Sequence, residues 1–172
     1  MVSNPTRHLK ALTTESSTAP IRRLCTCLLP ILVLGHGAVL TAEEILPEPA
    51  VRAPLAERSL LLDAIAIDDH LVVVGDRGHI LTSTDKGGTW QQSESPNRSS
   101  LTGVFFHDRD LGWAVGHDSV ILRTTDGGST WNIVNWAPED ENPFLDVWFA
   151  DADNGFAIGA YGSFFRTSDS GE

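Results

Sequence analysis

Three aspartates recur in the sequence at a spacing that could place a carboxylate in each copy of a repeated turn. Asp85, Asp126 and Asp169 each stand two residues after a Ser or Thr and are followed by glycine within two residues. An aspartate in such a turn accepts hydrogen bonds from nearby backbone N–H groups, and glycine permits a positive φ. Because these carboxylates are committed to their own backbone, we predict that they shape turns and do not catalyse a reaction.

Two arginines occupy equivalent positions in this pattern. Arg123 and Arg166 each stand three residues before the aspartate of their own turn, where the first copy has Thr82. Equivalent positions of a repeat fall on one face, so the two guanidinium groups are candidates for binding an acidic segment of a partner. A solvated or repeat-bridging arginine pair is the alternative interpretation.

Other residues offer little support for a metal or a cofactor. Residues 151–155 resemble the start of a calcium-binding loop, but the twelfth position of that loop is Gly162, where an EF-hand has glutamate. His79, His107 and His117 neither repeat in register nor show the spacing of metal ligands. We therefore expect no catalytic residue, no metal and no cofactor.

Composition places the chain among acidic globular proteins. Its 172 residues include 12 Lys and Arg against 23 Asp and Glu, which gives a formal net charge of −11 and a pI of about 4.8. This balance argues against a surface that binds the phosphates of nucleic acid.

Residues 1–42 have the pattern of a signal peptide for Sec-type export. The basic pair Arg22-Arg23 precedes an apolar run at 24–34, and small residues follow before Ala42. We predict cleavage near Ala42. An uncleaved membrane anchor is the alternative, although the run is shorter than the about 18 to 20 apolar residues that span a bilayer.

Residues 43–58 are predicted to form a proline-rich linker, since Pro47, Pro49 and Pro54 exclude a helix there. Residues 59–172 then repeat one unit three times, at about residues 60–95, 101–135 and 144–172.

Each unit has the pattern of a four-stranded antiparallel sheet. Two β-like runs precede a glycine-rich turn and a third short strand, and the aspartate turn leads to a fourth strand that begins with Trp90 or Trp131. A sheet of this kind repeated about every 42 residues is typical of a β-propeller blade. We therefore predict an all-β chain, a β-propeller of which about three blades are present.

The third copy stops at Gly171-Glu172, before a Thr-Trp pair. A propeller closes with about four to eight blades. We expect the chain to be part of a longer protein, and open blade edges to permit self-association.

The repeated turn resembles the Asp-box, or BNR repeat, and the fuller pattern from Gly75 to Trp90 is similar to that of the photosystem II stability and assembly factor propellers. The resemblance covers about residues 60 to 172 and implies a structural role for the box residues, which are Asp85, Gly87, Trp90, Asp126, Gly128, Trp131, Asp169 and Gly171.

This resemblance implies a non-enzymatic, exported scaffold that assists the assembly or stability of a membrane protein complex through protein contacts. In the similar assembly factors an arginine-rich surface is implicated in binding the photosystem II D1 precursor, a role that would fall to Arg123 and Arg166 here. The implied location is the periplasm or the exterior, or the thylakoid lumen in a photosynthetic host.

A carbohydrate-active protein is the alternative function, because the Asp-box also occurs in sialidases and other glycosidases. A sialidase needs an arginine cluster and a tyrosine nucleophile with a carboxylate partner. The single tyrosine, Tyr161, lies in a glycine-flanked turn, and no arginine-rich motif precedes the first box. We therefore predict that the chain is not an enzyme.

Overall fold

The computed structural model describes residues 45–172, which form three antiparallel β-sheets. The first sheet contains β1 (Leu61–Ile67), β2 (His70–Gly75), β3 (Ile80–Ser83) and β4 (Gln91–Gln92). The second contains β5 (Leu101–Phe106), β6 (Gly112–Gly116), β7 (Ile121–Thr124) and β8 (Asn132–Asn135). The third contains β9 (Phe144–Phe149), β10 (Gly155–Gly159) and β11 (Phe164–Thr167). The predicted all-β class is confirmed, whereas the proposed signal peptide at 1–42 lies outside the described residues.

Helical structure between residues 45 and 172 consists of single 3-10 turns. They lie at Ala56–Arg58, Asp76–Gly78, Pro138–Asp140 and Ala160–Gly162. Nowhere in this part of the chain is a helix long and apolar enough to cross a membrane.

Strand pairing defines which positions of the three sheets are equivalent. Leu61 pairs with Gly75, Leu101 with Gly116 and Phe144 with Gly159, each beside a register shift in the first strand. The shift lets an extra residue bulge from the first strand of every sheet. The conserved pairing therefore shows one unit of structure repeated three times.

The first hairpin of the first sheet is one residue shorter than its counterparts. Four residues separate the paired Ala66 and Leu71, whereas five separate the equivalent pair Phe106 and Gly112. If the first two units are aligned at one constant repeat length, Asp63 is matched with Val104. The strand pairing shows that this match is wrong by one residue within β1. In the structure Asp63 is equivalent to Gly103 and Asp146, the residue that follows the bulge in each first strand.

Consecutive sheets pack against each other through large apolar side chains. Between the first and second sheets, Val72, Val74 and Ile80 belong to the same buried cluster as Val104 and Phe106. A second cluster between the second and third sheets consists of Trp113, Val115, Phe144, Val147, Phe149 and Ala157. Burial of each such side chain contributes about 1.5–3 kcal/mol to folding. We call the side of each sheet that meets the following sheet its forward face.

The forward face of the third sheet is exposed among the described residues. Phe156, Ile158 and Phe164 occupy the positions that Val72, Val74 and Ile80 hold in the first sheet, as the strand pairing shows. Ile158 is 41% exposed and Phe164 is 59% exposed. Their counterparts in the first sheet are fully buried.

The segment that precedes the first sheet packs on that sheet. Ala56 is 2% exposed and contacts Val73 and Leu81 in a small apolar cluster. The Gln92 side chain accepts a hydrogen bond from Ala53 N at 2.8 Å and donates one to Val51 O at 3.0 Å. The proline-rich stretch therefore covers the side of the first sheet that faces away from the second.

Candidate functional site

The first aspartate turn surrounds the Asp85 carboxylate with hydrogen-bond donors. Oδ1 accepts hydrogen bonds from Thr89 N and Ser83 Oγ, each at 2.8 Å, and Oδ2 accepts one from Thr89 Oγ1 at 2.8 Å. The backbone N–H of Thr89, the Thr89 hydroxyl and the Ser83 hydroxyl together lower the pKa of Asp85 to about 2. A carboxylate that is this strongly hydrogen-bonded in its ionised form is a poor general acid.

The second aspartate turn repeats this geometry around Asp126. Thr130 N donates to Oδ1 at 2.9 Å, Thr130 Oγ1 to Oδ2 at 2.6 Å, and Thr124 Oγ1 to Oδ1 at 2.8 Å. Desolvation raises the pKa of Asp126, but the hydrogen bonds from Thr130 and Thr124 outweigh it, and the pKa is lowered. In the third turn, Thr167 Oγ1 donates to Asp169 Oδ1 at 2.6 Å.

Two residues of each turn have a left-handed backbone. The second of them is glycine in every copy, with φ of 85° at Gly87, 82° at Gly128 and 80° at Gly171. The first is Lys86 with φ of 59° in one copy and Ser170 with φ of 61° in another. Glycine therefore supplies the positive φ at the second position of every turn, whereas at the first position it does so only in the second copy, as Gly127 with φ of 72°.

The tryptophans of the box lie against the left-handed glycines, and the fourth strands begin one residue after them. A Cβ added to Gly87 would lie 3.4 Å from the Trp90 ring, and one added to Gly128 would lie 3.4 Å from the Trp131 ring. The Trp131 Nε1–H also donates to Gly128 O at 3.0 Å. Strands β4 and β8 start at Gln91 and Asn132, so the predicted Trp-led start is one residue too early.

Each aspartate turn is also held by the first hairpin of its own sheet. Gly127 N donates to Asp110 O at 3.0 Å, and Ser170 N donates to Asp153 O at 3.0 Å. The equivalent bond in the first sheet joins Lys86 N to an aspartate carbonyl at 3.4 Å.

The backbone carbonyl of the same turn residue, Gly127 or Ser170, contacts a side chain of the preceding sheet. His70 Nε2 lies 2.7 Å from Gly127 O, and Trp113 Nε1–H donates to Ser170 O at 3.0 Å. Because a carbonyl only accepts, His70 carries its proton on Nε2. Sequence comparison missed both contacts, since His70 and Trp113 occupy different positions of the repeat.

Arg123 lies between the second and third sheets. It pairs with Trp113 on β6 and with Asn132 on β8. Its Nη2 forms an ion pair with Glu172 Oε1 at 3.2 Å, and its side chain is 22% exposed. The buried Nε has no hydrogen-bond partner within the described residues.

Arg166 occupies the equivalent position in the third sheet but has different surroundings. It pairs with Phe156 on β10, as Thr82 pairs with Val72 in the first sheet. Arg166 is exposed, and none of the ion pairs found among residues 45–172 involves it.

The remaining candidate residues have local hydrogen bonds. Asp151 Oδ1 accepts hydrogen bonds from the backbone of Asp153 and Asn154 at 2.9 and 2.8 Å, and the Asn154 side chain contributes most to a lowered pKa of Asp151. His79 Nδ1 lies 2.9 Å from Ser59 Oγ. Among residues 45–172 no group of three His, Cys, Asp or Glu side chains is arranged to hold a metal ion.

Comparison with known proteins places this arrangement in a family. The family model described as photosynthesis system II assembly factor YCF48 matches residues 49–139. The chain belongs to this family. A curated relative, the chloroplastic photosystem II stability/assembly factor HCF136 of Cyanidioschyzon merolae, is 40% identical over 53 residues, which cover 30% of this chain and 12% of the relative.

Two solved YCF48 structures are similar in fold. YCF48 bound to D1 peptide has a TM-score of 0.59 and 27% sequence identity over 76% of this chain. YCF48 from Cyanidioschyzon merolae has a TM-score of 0.58 and 26% identity over 70% of this chain. The match spans 44% and 40% of the length of those chains. The predicted family and the β-propeller class, with about three blades present, are confirmed.

Proposed function

We propose that this chain is a non-enzymatic assembly factor that binds an acidic segment of a membrane-complex subunit through Arg123 and Arg166. The observation that carries the proposal is that Arg123 and Arg166 occupy equivalent positions of two sheets, each opposite an aromatic residue of the second strand. The similar YCF48 structure with a bound D1 peptide supports a protein partner.

Arg123 supports the same function in a different way. Its Nε is buried without an acceptor, while its Nη2 contacts the 71%-exposed side chain of Glu172. Because the Glu172 side chain is exposed, a partner carboxylate that replaces it would meet the same Nη2 end of the guanidinium. An arginine can bind such a carboxylate through two N–H groups at once.

The aspartate turns support a scaffold role. Asp85 and Asp126 each accept three hydrogen bonds from neighbouring Ser or Thr groups. They hold the turn between the third and fourth strands of their own sheet, which leaves protein binding to the surfaces of the blades. The proposal keeps the expected division of the chain into a signal peptide at 1–42, a proline-rich linker at 43–58 and the repeats at 59–172.

We also propose that residues 1–42 direct export. The chloroplastic relative supports the thylakoid lumen as the destination in a photosynthetic host, and the periplasm is the destination in a bacterium without thylakoids. The acidic balance of the chain gives no reason to expect a nucleic-acid partner.

A binding assay tests the arginine proposal directly. A fluorescent D1 peptide is titrated with the wild-type protein and with the Arg123→Glu and Arg166→Glu variants. Arg58→Glu is the matched control, since Arg58 is exposed on a different part of the chain. We expect each of the first two variants to weaken binding about tenfold or more, equivalent to about 1.4 kcal/mol.

Two results would overturn the proposed function. Equal affinities for the wild type and both arginine variants, with circular dichroism showing intact folding, would remove the arginine site. Turnover of a sialoside or a β-glucan by the wild-type protein would replace the scaffold with the carbohydrate-active alternative.

A further inference from the structure

A cavity of about 200 Å³ lies where the connection between the first two sheets meets the turn between β6 and β7. Ser99 of that connection, Asp118 of the turn and Trp136, the residue after β8, form three parts of its wall. The segment at residues 45–48 forms the fourth. Among the described residues, none from the third sheet lines the cavity, so its shape depends on the first two sheets and their connections.

Hydrogen bonds hold the polar part of this wall in place. Asn97 is 2% exposed, and its Oδ1 accepts a hydrogen bond from Ser99 N at 2.6 Å. Asp118 O accepts one from Ala137 N at 2.9 Å. The Ser99 hydroxyl donates to Asp118 Oδ2 and so joins the connection to the turn. The wall therefore has a defined shape before any ligand enters.

The Asp118 carboxylate has no cationic partner in this wall. None of the ion pairs found among residues 45–172 involves it, and its Oδ1 has no hydrogen-bond donor within those residues. Glu48, the other carboxylate of the wall, has a cation, since its Oε2 lies 2.6 Å from Arg98 Nη1. The wall thus contains one more carboxylate than it contains cations.

A carboxylate at this position is particular to the second sheet. Arg77 and Tyr161 hold the equivalent position, two residues after the paired glycines Gly75 and Gly159. The three residues have nearly the same left-handed φ, which is 57° at Arg77 and 56° at Asp118 and Tyr161. The turn therefore forms with an arginine or a tyrosine as well, and its backbone does not require the carboxylate of Asp118.

The rest of the wall is suited to an apolar stem. It includes the ring of Trp136 and the side chains of Ile45 and Leu46, which are 72% and 69% exposed. A long basic side chain lays its methylene groups along apolar surface and keeps its charge at a polar end. An indole also attracts a nearby cation. Apolar groups beside one carboxylate fit a ligand of this kind.

We infer that this cavity binds the lysine side chain of a partner segment. The stem packs against Trp136, and the ammonium group donates a hydrogen bond to Asp118 Oδ1. An ammonium is a point charge that a single carboxylate oxygen can accept, whereas the fork of a guanidinium is suited to two. Because Ser99 already donates to Oδ2, lysine fits this carboxylate better than arginine does.

Two further observations bear on the choice of ligand. The chain has a formal net charge of −11, which attracts a basic segment and repels a second copy of the chain. Neither Arg123 nor Arg166 lines the cavity. The lysine site is therefore separate from the arginines of the proposed function and goes beyond that function.

The test measures how amino-acid probes bind to the full 172-residue chain. The first probe is N-acetyl-lysine N-methylamide. Its neutral match is the norleucine derivative, which has the same stem without the ammonium group, and the arginine and glutamate derivatives complete the set. Two-dimensional NMR follows the indole N–H signal of Trp136, which Trp136→Phe identifies by its loss. We expect the lysine probe to bind about tenfold more tightly than the norleucine probe, and also more tightly than the other two.

Asp118→Asn removes the charge and retains the turn. Asparagine adopts the left-handed region readily, and its side-chain oxygen still accepts a hydrogen bond from Ser99. We expect this variant to bind the lysine probe about tenfold more weakly than the wild type. Asp140→Asn is the matched control, because it removes an exposed negative charge of the next connection and Asp140 does not line the cavity. We expect it to change the affinity less than about twofold.

The outcomes separate this inference from the proposed function. Equal affinity of the lysine and norleucine probes, or of the wild type and Asp118→Asn, would overturn the lysine site. Tighter binding of the arginine or glutamate probe would overturn it as well, and the glutamate result would assign the cavity to Arg98. Arg123→Glu and Arg166→Glu are expected to leave lysine-probe binding unchanged, whatever they do to D1-peptide binding. Either site can therefore fail while the other stands.

Discussion

The indole Nε1–H of Trp113 donates a hydrogen bond to the backbone carbonyl of Ser170 at 3.0 Å. This bond joins the forward face of the second sheet to the aspartate turn of the third. His70 makes the corresponding contact from the first sheet, with Nε2 lying 2.7 Å from Gly127 O. Consecutive blades are therefore joined by a directional bond as well as by apolar packing.

Replacing Trp113 by phenylalanine tests this bond. The ring of Trp113 stacks on Phe149 with centroids 3.4 Å apart, and a phenylalanine retains an aromatic ring there but has no N–H to donate. The buried carbonyl of Ser170 then has no partner, so we expect Trp113→Phe to lower the free energy of unfolding by about 1–3 kcal/mol. Urea denaturation followed by circular dichroism measures the change.

Trp148→Phe is the matched control for that substitution. Trp148 is 47% exposed and none of the hydrogen bonds found among residues 45–172 involves its indole. We expect its replacement to change the free energy of unfolding by less than about 0.5 kcal/mol. Equal losses for the two variants would show that ring volume, rather than the bond to Ser170, explains the effect.

The pKa of Asp85 predicts a specific dependence of stability on pH. Its folded-state pKa of about 2 lies below the ordinary aspartate value of about 3.9. The ionised side chain therefore stabilises the fold above pH about 4, and this contribution is lost as the pH falls toward 2. We expect Asp85→Asn to be less stable than the wild type at pH 7 and the difference to shrink as the pH approaches 2.

Urea midpoints at several pH values measure that difference. Asp68→Asn is the control, because no hydrogen bond to the Asp68 carboxylate is present in the described part of the chain and the residue lies outside the aspartate turns. A constant difference between Asp85→Asn and the wild type from pH 7 to pH 2 would contradict the assigned role of the Asp85 carboxylate.

Sequence periodicity was sufficient to predict the three sheets because each copy carries the same strand and turn residues in the same order. It could not place β1 correctly, since the shorter hairpin at Asp68 and Asp69 removes one residue that constant spacing cannot detect. The contacts of His70 and Trp113 were also unpredictable. Two different side chains at different repeat positions reach equivalent carbonyls, and only the packed structure shows this.

The arginines illustrate the same limit. The sequence was sufficient to predict that the two arginines occupy equivalent positions of the repeat. The structure places both opposite an aromatic residue of the second strand. The contacts of each arginine could not be predicted from the sequence, because they depend on how the following sheet packs. Arg123 is covered by the third sheet and contacts Glu172, whereas Arg166 lies on a sheet whose forward face is exposed among the described residues.

The left-handed conformation of Lys86 predicts a stabilising substitution. Lys86 has φ of 59°, and its equivalent in the second turn is Gly127 with φ of 72°. A non-glycine residue in this region is strained by about 1–2 kcal/mol, while the exposed ion pair of Lys86 with Asp69 contributes about 0–1 kcal/mol. We expect Lys86→Gly to raise the free energy of unfolding by about 0.5–1 kcal/mol.

Gly127→Ala provides the reverse experiment. An alanine at this position would keep the left-handed φ of 72°, and its Cβ would lie 3.1 Å from Arg109 O. We therefore expect the free energy of unfolding to fall by about 1 kcal/mol or more. Thermal denaturation of both variants gives the comparison. A destabilised Lys86→Gly protein would mean that the ion pair with Asp69 outweighs the backbone strain.

Ala56 tests whether the proline-rich segment is a packed part of the first blade. It is 2% exposed against Val73 and Leu81, and the segment has further hydrogen bonds to Gln92. An aspartate at position 56 would bury an unpaired carboxylate, so we expect Ala56→Asp to release the segment and lower stability by about 1–3 kcal/mol. Leu55→Asp is the control, because Leu55 is 58% exposed. Limited proteolysis followed by mass spectrometry should show faster cleavage within residues 45–58 in Ala56→Asp than in the control, and equal cleavage rates would mean that the segment is a linker without a stabilising contact.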